Sequence, residues 1–297
     1  VVSKKTKFTE DRNTFIGASE IGSLVAPNDW YTPHKLWMVK TGRKVVEETC
    51  AMRMGKYLEP FILREGVAKA KDSGYRIKCV TANKKTFLDP KSKLGATPDA
   101  FGKICIDGEL KDCVIETKFA NDYSGDQFGK EGSDQVPDAY ACQVIVQMLC
   151  CNVEYGLLFA QISNRKTAVF KIELTEETRA VQQICRDASN VFWANNIVKD
   201  LPPKLTGFDT DSQYVKERYS YDDGTMTNAD EEHAYIAGEL IQLQEAMKDL
   251  SVNVEERKNA LKNFMGEAKA LETEHGTFTW ATNAKGSRVF RLKEKAS

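Results

Sequence analysis

Ile115-Glu116-Thr117-Lys118, with Thr97-Pro98-Asp99-Ala100 upstream, is the stretch from which the rest of this 297-residue chain is read. Apolar Val114 and Ile115 precede the acid, and Phe119 and Ala120 follow the lysine. That is the profile of a short buried strand. Side chains alternate along a strand, so Glu116 and Lys118 share one face. A neighbouring strand running on from Asp99 would bring a second carboxylate to the same point. Two carboxylates supplemented by waters suit Mg²⁺, which rarely has an all-protein cage. A divalent ion flanked by a lysine equips a site for attack of water on a phosphodiester. The plainer reading is an ion pair of Lys118 with Glu116 or Asp99. Isolated charges on a buried strand are costly, and either arrangement satisfies them.

Outward from this strand, the spacing predicts helices after Ser19 (as N-cap), from Thr32-Pro33 to Gly42, and over residues 52–71, where Pro60 forces a kink or a start. Strands are expected over 75–81, 85–88, 94–106 and 113–119, then a polar Gly-rich loop over 121–135. A helix over 137–150, strands over 154–162 and 168–174, and a helix over 176–195 complete the pattern. Its inner face is assigned to Val181, Ile184, Ala188, Val191 and Phe192. This order gives an α/β fold with a mixed central sheet flanked by helices. Leu201-Pro202-Pro203 marks a boundary, dividing a core (1–205) from an extension (206–297). In the extension, Ile236, Leu240, Leu243, Met247 and Leu250 follow a four-three spacing, and Leu261, Met265, Ala268 and Leu271 form a second apolar stretch. A helical hairpin followed by a small β-hairpin is the expectation.

A net charge of −1 argues against a chain coated in basic residues but leaves room for a local basic groove. No apolar run approaches the ~20 residues of a membrane span, and the polar start reads as no signal peptide. Eight scattered cysteines without a C-x-x-C, and only three histidines, point to reduced, mostly buried thiols rather than zinc or an iron–sulfur cluster.

Other residues have two readings each. Arg12 and Ser19 bracket Gly17-Ala18 before a helix, which suits a phosphate, or equally a helix cap and a surface arginine. Glu59 lies among Leu58, Phe61 and Ile62 as a structural carboxylate or a third acid. Tyr140 and Gln143 share a helix face, with Gln147 one turn on, and such a face can position water or simply be polar.

Taken in order, these pieces resemble a known family. They run Arg12…Ile16-Gly17-Ala18-Ser19-Glu20-Ile21; Trp30-Tyr31-Thr32-Pro33…Leu36-Trp37…Thr41-Gly42; Gly55…Leu58-Glu59-Pro60; Gly95-Ala96-Thr97-Pro98-Asp99; Ile115-Glu116-Thr117-Lys118; and Tyr140-Ala141-Cys142-Gln143. The chain resembles the lambda exonuclease, or YqaJ-like viral recombinase, family of the PD-(D/E)xK nuclease superfamily over residues 12–195. Ala100 departs from the glycine often found there in the family.

The resemblance implies a PD-(D/E)xK nuclease core. Asp99, Glu116 and the main-chain carbonyl of Thr117 would hold Mg²⁺, with two ions per site and Mn²⁺ able to substitute. Lys118 would orient the attacking water, Glu59 and Gln143 would complete the site, and Tyr140 would support the Gln143 helix. Asp89 would be an accessory acid, and Arg12 and Ser19 would bind a terminal 5′-phosphate. The implied activity is a 5′→3′ exonuclease on linear double-stranded DNA, leaving 3′ overhangs for a single-strand annealing partner in phage recombination. A homotrimeric ring in the cytoplasm of a bacterial host, without membrane contact, goes with it. The rival readings are a non-catalytic DNA-end binding protein and a sequence-specific endonuclease.

Overall fold

The computed structural model describes residues 12–121, 125 and 127–294. Its centre is the hairpin of β5 (Ala100–Ile106) and β6 (Glu109–Ala120), joined by Asp107 and Gly108 at φ +50° and +85°. Positive φ at both turn residues matches the twist of the strands they connect. β7 (Tyr155–Ile162) lies parallel to β6, and helix α4 (Asp138–Cys151) precedes it in the crossover. β8 (Lys166–Glu173) and β2 (Ile77–Ala82) close the sheet, whose order is β2-β5-β6-β7-β8. This is a mixed sheet flanked by helices, as expected.

Alternation on β6 sends its apolar side chains to opposite faces. Ile115 meets Ile62 and Ala70 of α3 (Cys50–Asp72), together with Leu157 and Phe159. Val114 faces Val144 and Met148 of α4, with Leu158 and Phe170. A third cluster packs Ile16, Ile21, Leu36 and Trp37 against Leu94, Cys142 and Val146, so the N-terminal segment covers the outside of α4. Helix α3 is capped by Thr49 and runs on through Pro60. α2 (Pro33–Lys40) starts as expected, with Thr32 as cap and Pro33 in its first turn.

Several expectations shift. Helix α1 (Gly22–Val25) is a single turn whose N-cap is Ile21, without a side-chain bond, so Ser19 does not cap it. The strand expected over 94–106 is broken into β4 (Leu94–Ala96) and β5, and Asp99 sits in the gap. In α5 (Glu176–Phe192) the buried stripe is Gln182, Cys185, Ser189 and Phe192, whereas Ile184 and Val191 are more than half exposed. Phe192 is buried as expected and Val181 packs against the core, but the rest of the stripe lies one residue on in helical phase and includes polar Gln182 and Ser189, whose hydroxyl donates to Arg186 O at 2.9 Å. Cys50 and Cys79 are exposed rather than buried.

The chain divides into two compact units, Val1–Ser220 and Tyr221–Ser297. α6 (Asp209–Arg218) belongs to the first, because buried Asp211 accepts from Thr32 Oγ1 at 2.6 Å and from Thr206 N and Oγ1 at 2.7 Å. The second unit contains one 35-residue helix, α7 (Glu231–Met265), not a helical hairpin. Gly266, at φ +53°, ends it, and Leu271 falls in β9 (Ala270–Thr273) instead of a second helix. β10 (Gly276–Thr282) pairs antiparallel with β9 and with β11 (Arg288–Glu294). Among the described residues no helix is long and apolar enough to cross a membrane.

Candidate active site

Two strand pairings assemble the site from distant sequence. In the β5–β6 ladder Ala100 lies opposite Ile115. Asp99, one residue beyond, therefore arrives beside Glu116 at the end of the hairpin. β1 (Ile16–Gly17) pairs parallel with β4, and Ala18 N donates to Gly95 O at 2.7 Å. This stitches the Arg12–Ser19 segment to the strand that leads into Asp99. Gly95 permits the approach, since a Cβ there would stand 2.4 Å from the Phe15 ring. The result is a cavity of about 730 Å³ lined by Asp99, Glu116, Lys118, Glu59, Gln143 and Gln147, with Arg12, Ser19, Lys84 and Lys85 also on its wall.

Glu116 is the hub and is 4% exposed. Its Oε1 accepts from Lys118 Nζ at 2.6 Å and from Gln143 Nε2 at 2.5 Å, and its Oε2 accepts from Gln147 Nε2 at 2.6 Å. One turn of α4 separates the two glutamines, so both reach the same carboxylate. Asp99 Oδ2 accepts from Thr117 N at 2.8 Å and Thr117 Oγ1 at 2.7 Å. Burial and then the nearby Glu116 charge push Asp99 up to about 7, against the pull of Thr117 and Lys118. Burial opposes the charged form of Lys118, but Glu116 and Asp99 outweigh it and hold the amine above its usual range. Lys118 is thus a fixed ammonium, suited to stabilising negative charge rather than removing a proton. Glu59 on α3 is also raised, by burial first and by the Glu116 charge second.

The structure brings together Asp99, Glu116, Lys118, Glu59, Gln143, Arg12 and Ser19. Tyr140 stands behind them, its ring centroid 5.2 Å from Lys118 Nζ, so it supports the lysine as well as lying on the Gln143 helix. Asp89 does not join. It is buried in a two-point pair with Arg186 (3.0 and 2.9 Å) and accepts from Ser92 Oγ at 2.6 Å, which makes it a structural acid. Gln147 was readable only as a polar residue one turn beyond Gln143, and nothing local ties it to Glu116. Glu20 and Lys40 also escaped the sequence reading. Glu20 Oε2 accepts from Gly17 N at 2.7 Å and from Lys40 Nζ at 2.6 Å, and Lys40 donates to Arg12 O at 2.6 Å. This ion pair fixes the Arg12–Ser19 segment. Asn83 likewise ties the Lys84-Lys85 turn to the site, because its Nδ2 donates to Pro98 O at 3.0 Å and its N to Asp99 O at 2.8 Å.

Among the described residues no three His, Cys, Asp or Glu side chains cluster as a metal cage. The donor set is two carboxylates, which fits a hard cation that keeps most of its waters. Two observations favour that fit. Repulsion from Glu116 helps to hold Asp99 near neutrality, a cost that a cation between them removes. Gln147 Oε1 is buried without a hydrogen-bond donor, and a coordinated water is a suitable one.

Residues 7–154 match the YqaJ-like viral recombinase domain. The uncharacterized protein YqaJ of Bacillus subtilis (strain 168) is 25% identical over 283 residues, 91% of this chain and 82% of that protein. Among solved structures, the alkaline exonuclease LHK-Exo from Laribacter hongkongensis is 16% identical, with a TM-score of 0.45. The same enzyme in complex with dAMP is 15% identical, with a TM-score of 0.46. Each covers 70% of this chain and 95% of its own. The chain carries a YqaJ-like viral recombinase domain.

Proposed function

We propose that this chain, with its YqaJ-like viral recombinase domain, is a Mg²⁺-dependent exonuclease that digests linear double-stranded DNA from its 5′ ends. The observation that supports this most directly is the convergence of Asp99, Glu116 and Lys118 in one cavity whose wall also carries Arg12 and Ser19. Asp99 and Glu116, with the main-chain carbonyl of Thr117, would hold Mg²⁺ or Mn²⁺, two ions per site. When bound, the metal lowers the pKa of a coordinated water and polarises the scissile phosphate.

The protein's own groups do the rest. The Lys118 ammonium, held in place by Glu116 and Tyr140, orients the water and offsets charge as it develops on the phosphate oxygens. Gln143 and Gln147 lock Glu116 in position, so its oxygens do not reorganise during the reaction. Arg12 and the exposed Ser19 hydroxyl would take the terminal 5′-phosphate and set the register of the next phosphodiester. Lys84 and Lys85 would follow the strand by charge. A homotrimeric ring around the duplex, feeding a single-strand annealing protein, completes the proposal and would supply processivity without a basic surface.

The test is incubation of linear and covalently closed duplex with Mg²⁺ or with EDTA. Metal-dependent nucleotide release from linear, 5′-phosphorylated ends alone is the expected result. Nicked or linearised circles would show an endonuclease instead, and unchanged DNA in both would show a DNA-end binding protein.

A further inference from the structure

Helix α7 presents an apolar seam along its length. Ile236, Leu240, Leu243, Met247, Leu250 and Val254 recur at alternating four and three residues, and all six are between 44% and 70% exposed. Spacing of this kind is the signature of a helix that packs against another helix. The seam continues through Arg257 to Leu261 and Phe264. At this C-terminal half it becomes one wall of a groove of about 550 Å³, whose opposite wall is Phe278, Phe290 and Leu292 of the β10–β11 hairpin. The Arg257, Lys258 and Arg291 side chains also line it.

Charge along α7 indicates what the groove receives. From Glu231 to Met247 the helix has four glutamates (Glu231, Glu232, Glu239 and Glu245) and no lysine or arginine. From Leu250 to Met265 it carries Arg257, Lys258 and Lys262 against Glu255 and Glu256. A parallel pairing would set acid against acid. An antiparallel one sets the acidic half of one helix against the basic groove of the other, and does so twice by symmetry. The heptad phase closes in that arrangement: Met247 faces Leu250, Leu243 faces Val254, Ile236 faces Leu261, and Leu240 faces Arg257 with Glu239 beside it.

We propose that α7 is a self-association element: two copies of this chain pair antiparallel through it, each seating the Ile236–Met247 half of its helix in the groove between α7 and the β10–β11 hairpin of the other. The contact is independent of the nuclease reading and doubles whatever assembly the first unit forms.

Light scattering on the full chain tests it. The parent is expected at twice the mass of the Leu243→Asp/Met247→Asp variant, with the helix retained by circular dichroism because neither side chain is buried within its own chain. Glu239→Lys and Arg257→Glu should each weaken the association about tenfold or more, and the two combined in one chain should restore it. Equal masses for parent and Leu243→Asp/Met247→Asp would overturn the proposal, since the seam would then serve another occupant. So would charge reversals without effect, or a combined variant no better than either alone.

Discussion

Replacing Asp99 by Asn should make the metal-free protein more stable at alkaline pH while abolishing its proposed activity. Asp99 is pushed up to about 7 in the fold, against an ordinary value of 3.8. A carboxyl with a raised folded-state pKa binds its proton more tightly folded than unfolded. Stability is therefore lost as pH rises from about 4 towards 7, and the loss is complete above 7. The difference of roughly 3 units at ~1.4 kcal/mol each gives a cost on the order of 4 kcal/mol at pH 8. Asn keeps an oxygen to accept from Thr117 N and Oγ1, the two donors to Asp99, and carries no charge. Urea unfolding in EDTA is the assay. The variant should exceed the parent by a few kcal/mol at pH 8, with the gap shrinking to under ~1 kcal/mol at pH 4. Adding Mg²⁺ should stabilise the parent and not the variant. A variant equal to or weaker than the parent at pH 8, or a gap indifferent to pH, would refute the reasoning.

Lys118→Ala should lower cleavage by at least about 100-fold while leaving DNA-end affinity nearly unchanged, because the ammonium acts on charge that develops during reaction; a single-turnover rate beside a binding titration checks this. Gln147→Leu leaves Glu116 Oε2 without its donor, so a loss of about 1–3 kcal/mol in unfolding free energy is expected, together with slower cleavage at saturating Mg²⁺. Arg12→Ala should erase any advantage of 5′-phosphorylated over 5′-hydroxyl ends, and a parent indifferent to end chemistry would remove the phosphate assignment. Arg186→Ala strands the buried Asp89 charge and should cost on the order of 3 kcal/mol. Asp89→Asn should keep near-parental turnover per folded molecule, and a large drop in turnover would return Asp89 to the site.

Local pattern made the site's first half legible. Apolar residues flanking Glu116 and Lys118 announced a buried strand, and period-two alternation placed both charges on one face. Thr32-Pro33 announced a helix start because a hydroxyl cap followed by proline satisfies the first turn. On α5 the expected apolar stripe (Val181, Ile184, Ala188, Val191) and the buried stripe (Gln182, Cys185, Ser189, Phe192) have the same spacing and differ by one residue of helical phase, which packing decides in favour of Gln182 and Ser189, while Phe192 is buried as expected. In the extension the apolar rhythm of Ala268 and Leu271 suggests a second helix, but the positive φ of Gly266 stops α7 before them.

The strand that bears Glu116 and Lys118, the mixed α/β order and the heptad spacing of α7 are legible in the residues alone, since each depends on neighbours within a few positions. That Asp99 stands opposite Glu116, that Gln147 grips the same carboxylate, that Arg12 and Ser19 share the cavity and that Asp89 belongs to Arg186 emerges from the folded chain. Those outcomes depend on ladder register and helix rotation. Both are set by how the three apolar clusters fill space around the sheet, a many-body packing condition that no short window of residues contains.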